Sequence, residues 1–140
     1  MVKHNRQGFI GWFIRLALEG KEINIFGDGS QLRDFNYIDD VVDALLLAGA
    51  KSEANGEAFN LGSEKYYSLL DFTKVLIKIA GGGSFRLVPF PPELKNIDIG
   101  NYRGDYKKIS AKLGWQPTVS LEDGLAKTLE YYCLNQKHYW

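Results

Sequence analysis

The sequence predicts an α/β protein packed around a single core, and three observations carry that prediction. The chain has 140 residues and a mass of 15.8 kDa, 45% hydrophobic and 24% charged, which is the size and composition of one globular domain. Apolar residues recur at helical spacing in several stretches, each bounded by a capping residue or a glycine. Between them lie short stretches rich in β-branched and aromatic residues, the patterning of strands. These strands are too short and too few for a complete doubly wound sheet. The chain is therefore either a small α/β domain or a piece of a larger one.

A first helix is expected over residues 8–19, where Phe9, Trp12, Phe13, Leu16 and Ala17 share a face and Gly20 stands where a terminating glycine belongs. Ile23-Asn24-Ile25-Phe26 alternates as a strand and is closed by the turn Gly27-Asp28-Gly29-Ser30. A second helix begins at Asp39 or Asp40, whose carboxylates suit an N-cap and the positive end of the helix dipole. Its residues 41–48 are apolar on nearly every side, which predicts an inner helix buried between layers. Asn55-Gly56 turns the chain into a short strand over 57–62. Ser68 and Asp71 then box the start of a helix with the stripe Phe72, Val75, Leu76 and Ile79, ended by Gly81-Gly82-Gly83. A strand follows over 85–88, and Pro89, Pro91 and Pro92 force an extended, non-helical loop. A short helix from Asp105 carries Ile109 and Leu113 inward as far as Gly114. Ser120 and Asp123 open the last helix, whose apolar side is Leu121, Leu125, Leu129 and Tyr132.

Charge excludes one class of partner: 17 basic residues balance 17 acidic ones, with no dense basic cluster to track a phosphate backbone, so nucleic acid is not expected. The one cysteine, Cys133, has no partner for an internal disulfide and is read as a structural thiol on a core helix. His4 and His138 are too far apart to suggest a zinc site. The opening segment with Lys3, His4, Asn5, Arg6 and Gln7 has no apolar signal region, and no run approaches a membrane span, so a cytoplasmic protein without membrane contact is expected. Glycine-rich phosphate cradles fail as well. Gly27-Asp28-Gly29 follows a strand, but Leu32 holds the next required glycine position and no helix opens there. An independent hydrolase lacks a base oriented by a third group. The pairs Asp39-Asp40 and Glu122-Asp123 stand at helix starts, where capping accounts for them.

The densest polar cluster runs from Gly27 to Val42 and sets Arg33 among aromatic residues just outside a helix. A guanidinium so placed suits bidentate binding of an anionic ligand, and a local ion pair with Asp34, Asp39 or Asp40 accounts for the same residues. That cluster, G-x-G-x-Q-x-R-D-F-x-Y-I-D-D-V-V, resembles a segment of the NAD-dependent epimerase/dehydratase family, the extended short-chain dehydrogenases/reductases acting on nucleotide sugars. Ala58-Phe59-Asn60-Leu61-Gly62-Ser63 is similar to the family's asparagine–glycine strand. The run from Asp105 to Pro117, with Lys108, Leu113, Gly114 and Trp115, is similar to its D-x-x-K-x-x-x-x-L-G-W-x-P signature, and Ser120-Leu121-Glu122-Asp123-Gly124-Leu125 to its closing helix. The resemblance covers nearly the whole chain in order.

The resemblance implies a single C-terminal nucleotide-sugar-binding region over 1–140, a helix-rich substrate domain with short strands plus the last strand and helix elements of an incomplete Rossmann fold. The family's G-x-x-G-x-x-G cofactor loop is missing from these residues, as is its Tyr-x-x-x-Lys pair: Tyr37, Tyr66, Tyr67, Tyr102, Tyr106, Tyr131 and Tyr132 are followed four residues on by Val41, Leu70, Asp71, Tyr106, Ser110, Asn135 and Gln136. NAD serves the parent family, as epimerase, dehydratase, decarboxylase or reductase. Neither NAD binding nor catalysis is expected of this chain alone, because the tyrosine that moves the sugar proton and the cofactor that moves hydride lie elsewhere. What carries over is a grip on a UDP- or dTDP-type nucleotide diphosphate sugar. Arg33 would hold the pyrophosphate, Ile25 and Phe26 would border the base, and Phe9, Ile10 and Phe13 lie where the family's helix passes the nucleotide. The family's R-P-G-D stretch corresponds to Lys95-Asn96-Ile97-Asp98, where lysine gives a point charge in place of a planar fork, with Arg103 as an alternative basic contact. The other reading is a stand-alone dimerisation module derived from this fold. In either case the faces of helices 41–48 and 69–79 would be left uncovered, so self-association or packing on a Rossmann domain is expected.

Overall fold

A computed structural model describes residues 8–95 and 98–140. The opening segment with Lys3 to Gln7, and Asn96 and Ile97 of the Lys95–Asp98 stretch, lie outside the described residues. The elements run α1 (Phe9–Leu18), β1 (Glu22–Phe26), β2 (Leu32–Arg33), α2 (Ile38–Ala50), β3 (Tyr67–Ser68), α3 (Leu69–Ala80), β4 (Ser84–Val88), α4 (Pro92–Lys95), α5 (Lys107–Leu113) and α6 (Leu121–Asn135). β1 and β4 pair in parallel, with Ile23 opposite Phe85 and Ile25 opposite Leu87. β2 and β3 form a two-residue antiparallel ladder, Leu32 opposite Ser68 and Arg33 opposite Tyr67. The architecture is mixed α/β with a small parallel sheet, as the patterning predicts.

Two apolar clusters hold the chain. The larger joins Phe13, Ile14, Leu16 and Ala17 of α1, Ile23 and Ile25 of β1, Phe72 and Leu76 of α3, and Leu125 and Leu129 of α6. Phe72 stacks on Phe35 at 4.4 Å between ring centroids, which pins the chain entering α2 to this core. Burying such side chains contributes roughly 1.5–3 kcal/mol each, so the stripes read from the sequence supply most of the stability. The smaller cluster joins Ala44 of α2 with Ile109 and Leu113 of α5 and Trp115.

Both capping boxes form. Ser68 Oγ accepts from the Asp71 amide at 3.0 Å and Ser120 Oγ from the Asp123 amide at 3.1 Å, while Gly81 and Gly114 close α3 and α5 in the left-handed conformation. Other expectations need correction. Residues 57–62 are not a strand: Gly62 lies so close to the Gly104 carbonyl that no side chain fits, and this stretch packs as coil against residues near 104. Pro92 does not extend the loop but opens α4, where its missing N–H costs nothing. Helix α2 is not an inner helix. Only Asp40 and Ala44 of it are buried, whereas Ile38, Val42, Leu45 and Leu46 are exposed, because nothing else in the described chain lies over that side. The expected open face of α3 is in fact covered, since α3 packs on α1 and α6. Cys133 is exposed on α6 and is not a core thiol. The aromatic end of the chain is packed: Tyr131 and Tyr139 share a hydrogen bond of 2.9 Å, and the Arg15 guanidinium lies 5.7 Å from the Trp12 ring and 5.4 Å from that of Trp140.

Glu57 ties the coil to α5 by ion pairs with Lys108 and Lys112, and these hold its carboxyl down to about 2 from its ordinary 4.5. A depressed carboxylate stabilises the fold above its unfolded pKa and ceases to do so as pH falls through the folded value. Glu57→Gln is therefore expected to lower Tm at pH 7, with the gap from the parent closing as pH falls from about 4.5 toward 2. A gap of constant size in calorimetry across that window would refute the assignment.

Candidate functional site

The alternation of β1 decides where the site lies. Ile23 and Ile25 point into the core, so Glu22, Asn24 and Phe26 point to the opposite face, and there a cleft of about 810 Å³ opens. Its volume falls within the range of small-molecule sites, about 300–1,000 Å³. One wall is α1, contributing Phe9, Trp12, Phe13 and Leu16 at helical spacing. Phe90 and Leu94 line it beyond the sheet, and Phe90 lies 5.8 Å from the Phe26 ring. Gln31, Arg33, Leu69 and Asp98 complete the lining.

Among the described residues Arg33 is the cationic group of this lining, held by its neighbour Leu32 and by two residues distant in sequence. Its Nη1 donates to the Leu32 carbonyl at 2.9 Å and to the Gly100 carbonyl, and Nη2 pairs with Asp98 Oδ1 at 3.1 Å. The partner is thus Asp98, not Asp34, Asp39 or Asp40. The two side chains are partly buried, 18% and 24% exposed, so the guanidinium keeps one accessible part on an apolar, aromatic cleft. The loop that carries Asp98 is fixed beside β2: the Leu32 amide donates to Asn101 Oδ1 at 2.9 Å and the Tyr102 amide to the Leu32 carbonyl at 3.1 Å.

The neighbouring carboxylates are structural. Asp34 accepts from the Ser63 amide at 2.8 Å and the Gly104 amide at 2.9 Å. Asp40 is not a cap: it is 2% exposed and accepts from the Thr118 amide at 3.1 Å, the Thr118 hydroxyl at 2.7 Å and the Val119 amide at 3.0 Å.

Of the residues expected at the site, the cleft brings together Phe9, Phe13, Phe26, Arg33 and Asp98. Ile25 is fully buried on the core side of β1, and Ile10 is 41% exposed on α1 outside the cleft lining. Lys95 ends α4 outside that lining as well. Arg103 lines a different concavity of about 720 Å³, its guanidinium 5.0 Å from the Tyr66 ring. Trp12, Leu16, Asn24, Gln31, Phe90 and Leu94 were not expected as site residues; helical spacing from Phe9 and strand alternation from Phe26 would have found Trp12, Leu16 and Asn24.

Chemically the cleft is equipped to bind. Among the described residues its lining contains no histidine, cysteine, serine, lysine or tyrosine, and its carboxylates Glu22 and Asp98 are each ion-paired with an arginine, Glu22 with Arg86 at 3.3 Å. Among the described residues no group of histidine, cysteine and carboxylate side chains could hold a metal ion, and no helix is long and apolar enough to cross a membrane. Nor do these residues fit the pyrophosphate of a dinucleotide. At Gly29 an added Cβ would lie 3.0 Å from side-chain atoms of Ile25 and Leu70, and the α3 N-terminus that meets this turn is already engaged, the Leu70 amide donating to the Gly29 carbonyl at 3.0 Å.

Comparison with known proteins places this arrangement in a family. Residues 2–62 match the model of the NAD dependent epimerase/dehydratase family. The chain is 34% identical over 132 residues to a UDP-glucose 4-epimerase of Mycolicibacterium smegmatis, covering 92% of this chain and 40% of that protein. It is 32% identical to UDP-glucuronic acid decarboxylase 1 of Danio rerio, covering 90% and 29%. Among solved structures, the Thermotoga maritima UDP-glucose 4-epimerase with UDP-glucose superposes with a TM-score of 0.80 at 36% identity, over 96% of this chain and 42% of that one. The Bacillus cereus UDP-glucuronic acid 4-epimerase, solved with UDP-glucuronic acid and NAD, gives 0.77 at 33% identity over 92% and 40%. The chain thus spans about 40% or less of these relatives. On its motifs, its fold and these likenesses, the chain belongs to the NAD-dependent epimerase/dehydratase family.

Proposed function

We propose that this chain is the nucleotide-sugar-binding, C-terminal region of an NAD-dependent sugar-nucleotide epimerase or dehydratase, gripping the diphosphate of a UDP- or dTDP-sugar and inactive by itself. The observation that carries this is Arg33: a guanidinium fixed by Asp98 and two carbonyls at the edge of an aromatic cleft, the combination that suits an anionic head with a flat base attached. The order of motifs along the chain supports the C-terminal placement. Phe9, Phe13 and Phe26 provide the apolar surface, and Lys95, Ile10 and Arg103 lie outside its lining. The cofactor loop and the Tyr-x-x-x-Lys pair are not among these 140 residues, so NAD chemistry belongs to residues outside the chain. Calorimetric titration with UDP should give saturable one-site binding, and turnover of UDP-glucose with NAD by the 140-residue chain would overturn the inactivity.

A second reading, a dimerisation module, is favoured by α2. Ile38, Val42 and Leu45 recur at spacings of four and three on its exposed side, flanked by Leu46, a seam suited to another helix. The isolated chain is expected to self-associate through it. Light scattering should show mass rising with concentration, and Leu45→Glu with Leu46→Glu should return the monomer; a parent that stays monomeric at high concentration rejects this surface.

A further inference from the structure

We propose that Asn55 is a site of spontaneous covalent modification, its side-chain amide passing through a succinimide formed with Gly56 to aspartate and isoaspartate, and that the isoaspartate releases the tie between this turn and α5. Asn55 and Gly56 follow the 3-10 turn Ser52–Ala54 beyond α2, and both are exposed. Asn55 at φ −60°, ψ 123° and Gly56 at φ 72° are the central residues of a type II turn, closed by the Glu57 amide donating to the Ala54 carbonyl at 3.1 Å. Neither reacting group is engaged: among the described residues the Gly56 amide donates no hydrogen bond and the Asn55 side chain has no partner. A Cβ built on Gly56 would meet nothing within 4 Å, so the space round the attacking nitrogen is open. Ala54 and Phe59 on either side pack against the small cluster, which fixes the ends of the turn and leaves its tip to solvent.

The chemistry needs only water and base. Once hydroxide takes the Gly56 amide proton, the nitrogen attacks Asn55 Cγ; the N–Cγ bond forms, the Cγ–Nδ2 bond breaks, and the leaving nitrogen takes a proton from water and departs as ammonia. A second water then opens the ring at Cγ to give aspartate, or at the Asn55 main-chain carbonyl to give isoaspartate. Of the chain's asparagines Asn55 alone precedes glycine, the residue with no Cβ to crowd the attacking nitrogen and with the backbone freedom for ring closure. Closure requires ψ of Asn55 to leave 123°, which opens the turn against its single hydrogen bond, a local opening of the kind exposed loops undergo readily. Isoaspartate lengthens the main chain by a methylene, so the type II turn does not re-form and Glu57 is displaced from Lys108 and Lys112, its partners on α5.

The test incubates the whole chain in mildly alkaline buffer, with a peptide of residues 51–60 as the unfolded standard. Peptide mapping should show the Asn55 segment gaining the mass of an amide turned acid, with an isoaspartyl fraction that endoproteinase Asp-N does not cut. The rate should lie within about tenfold of the peptide's, since one hydrogen bond holds the turn shut. Asn55→Gln should lose the product, and the other asparagines should lag behind. In the chain carrying isoaspartate, Tm at pH 7 should fall to near that of Glu57→Gln, and ageing of Glu57→Gln should lower its own Tm little further. Asn55 left intact while the peptide converts, or equal conversion at asparagines not followed by glycine, overturns the site. Full conversion to isoaspartate with Tm unchanged overturns its link to α5.

Discussion

Arg33→Ala is expected to weaken UDP binding by roughly thirtyfold or more in a chain that stays folded. Removing one member of a partly buried, hydrogen-bonded charge pair costs about 2–5 kcal/mol at a binding site, and every 1.4 kcal/mol is tenfold in affinity. Two losses combine. The diphosphate loses its cation, and Asp98, 24% exposed, is left as an uncompensated carboxylate facing a ligand of its own sign. The second loss can be isolated. Adding Asp98→Asn to Arg33→Ala should recover part of the affinity by removing the repulsion, whereas a merely structural Arg33 predicts no recovery. Arg33→Lys should fall between parent and Ala, because an ammonium keeps the charge but cannot satisfy Leu32, Gly100 and Asp98 while presenting a planar face. UDP affinity of Arg33→Ala within threefold of the parent, measured calorimetrically, would remove the cleft as the diphosphate site.

What the sequence disclosed about this site, and what it withheld, follows the range of the interactions. The capping boxes at Ser68 and Ser120 and the glycine stops at Gly81 and Gly114 depend on residues within one turn, so pattern alone located them. The apolar stripes of α1, α3 and α6 were equally legible, since a helical period has one packed face. Failures came where a distant segment decides. The β2–β3 ladder has two residues per strand, too short for alternation to register. Residues 57–62 have strand-like composition but no partner strand, and close contact between Gly62 and Gly104 fixes them as coil. Helix α2 was read as inner from its composition, yet its apolar seam faces outward within this chain. For the site, Arg33 and Phe26 were named from motif and Asp98 from its stretch. That Asp98 is the ion-pair partner of Arg33 needed the fold, because 65 positions separate them.

Asp40→Ala is expected to lower stability by about 3 kcal/mol, seen as a fall in Tm of roughly 10 °C or more, while leaving UDP affinity of the folded chain within about twofold. The side chain accepts three hydrogen bonds from Thr118 and Val119 while 2% exposed, and bonds to a charged acceptor contribute roughly 1.5–3 kcal/mol apiece, offset in part by water reaching the freed amides. The position matters more than the count. Residues 115–119 lead from Trp115, in the small cluster with α2 and α5, to Ser120, the cap of α6 in the large cluster. Asp40 grips that connection at both ends, by its backbone carbonyl on the Trp115 indole at 2.9 Å and by its carboxylate on Thr118 and Val119. Truncation removes only the second grip, so the two clusters should lose cooperativity before either loses its packing. Asp40→Asn separates charge from shape: the amide can accept at one oxygen but sets an N–H2 against a donor at the other, for an expected cost of about half that of Ala. Thr118→Val deletes the hydroxyl bond alone and should cost about 1 kcal/mol. Denaturant unfolding read by far-ultraviolet circular dichroism and by tryptophan fluorescence gives the decisive comparison. The two probes should coincide in the parent and separate in Asp40→Ala, and a variant within 1 kcal/mol of the parent with coincident transitions would show that the buried carboxylate does not join the two halves of the fold.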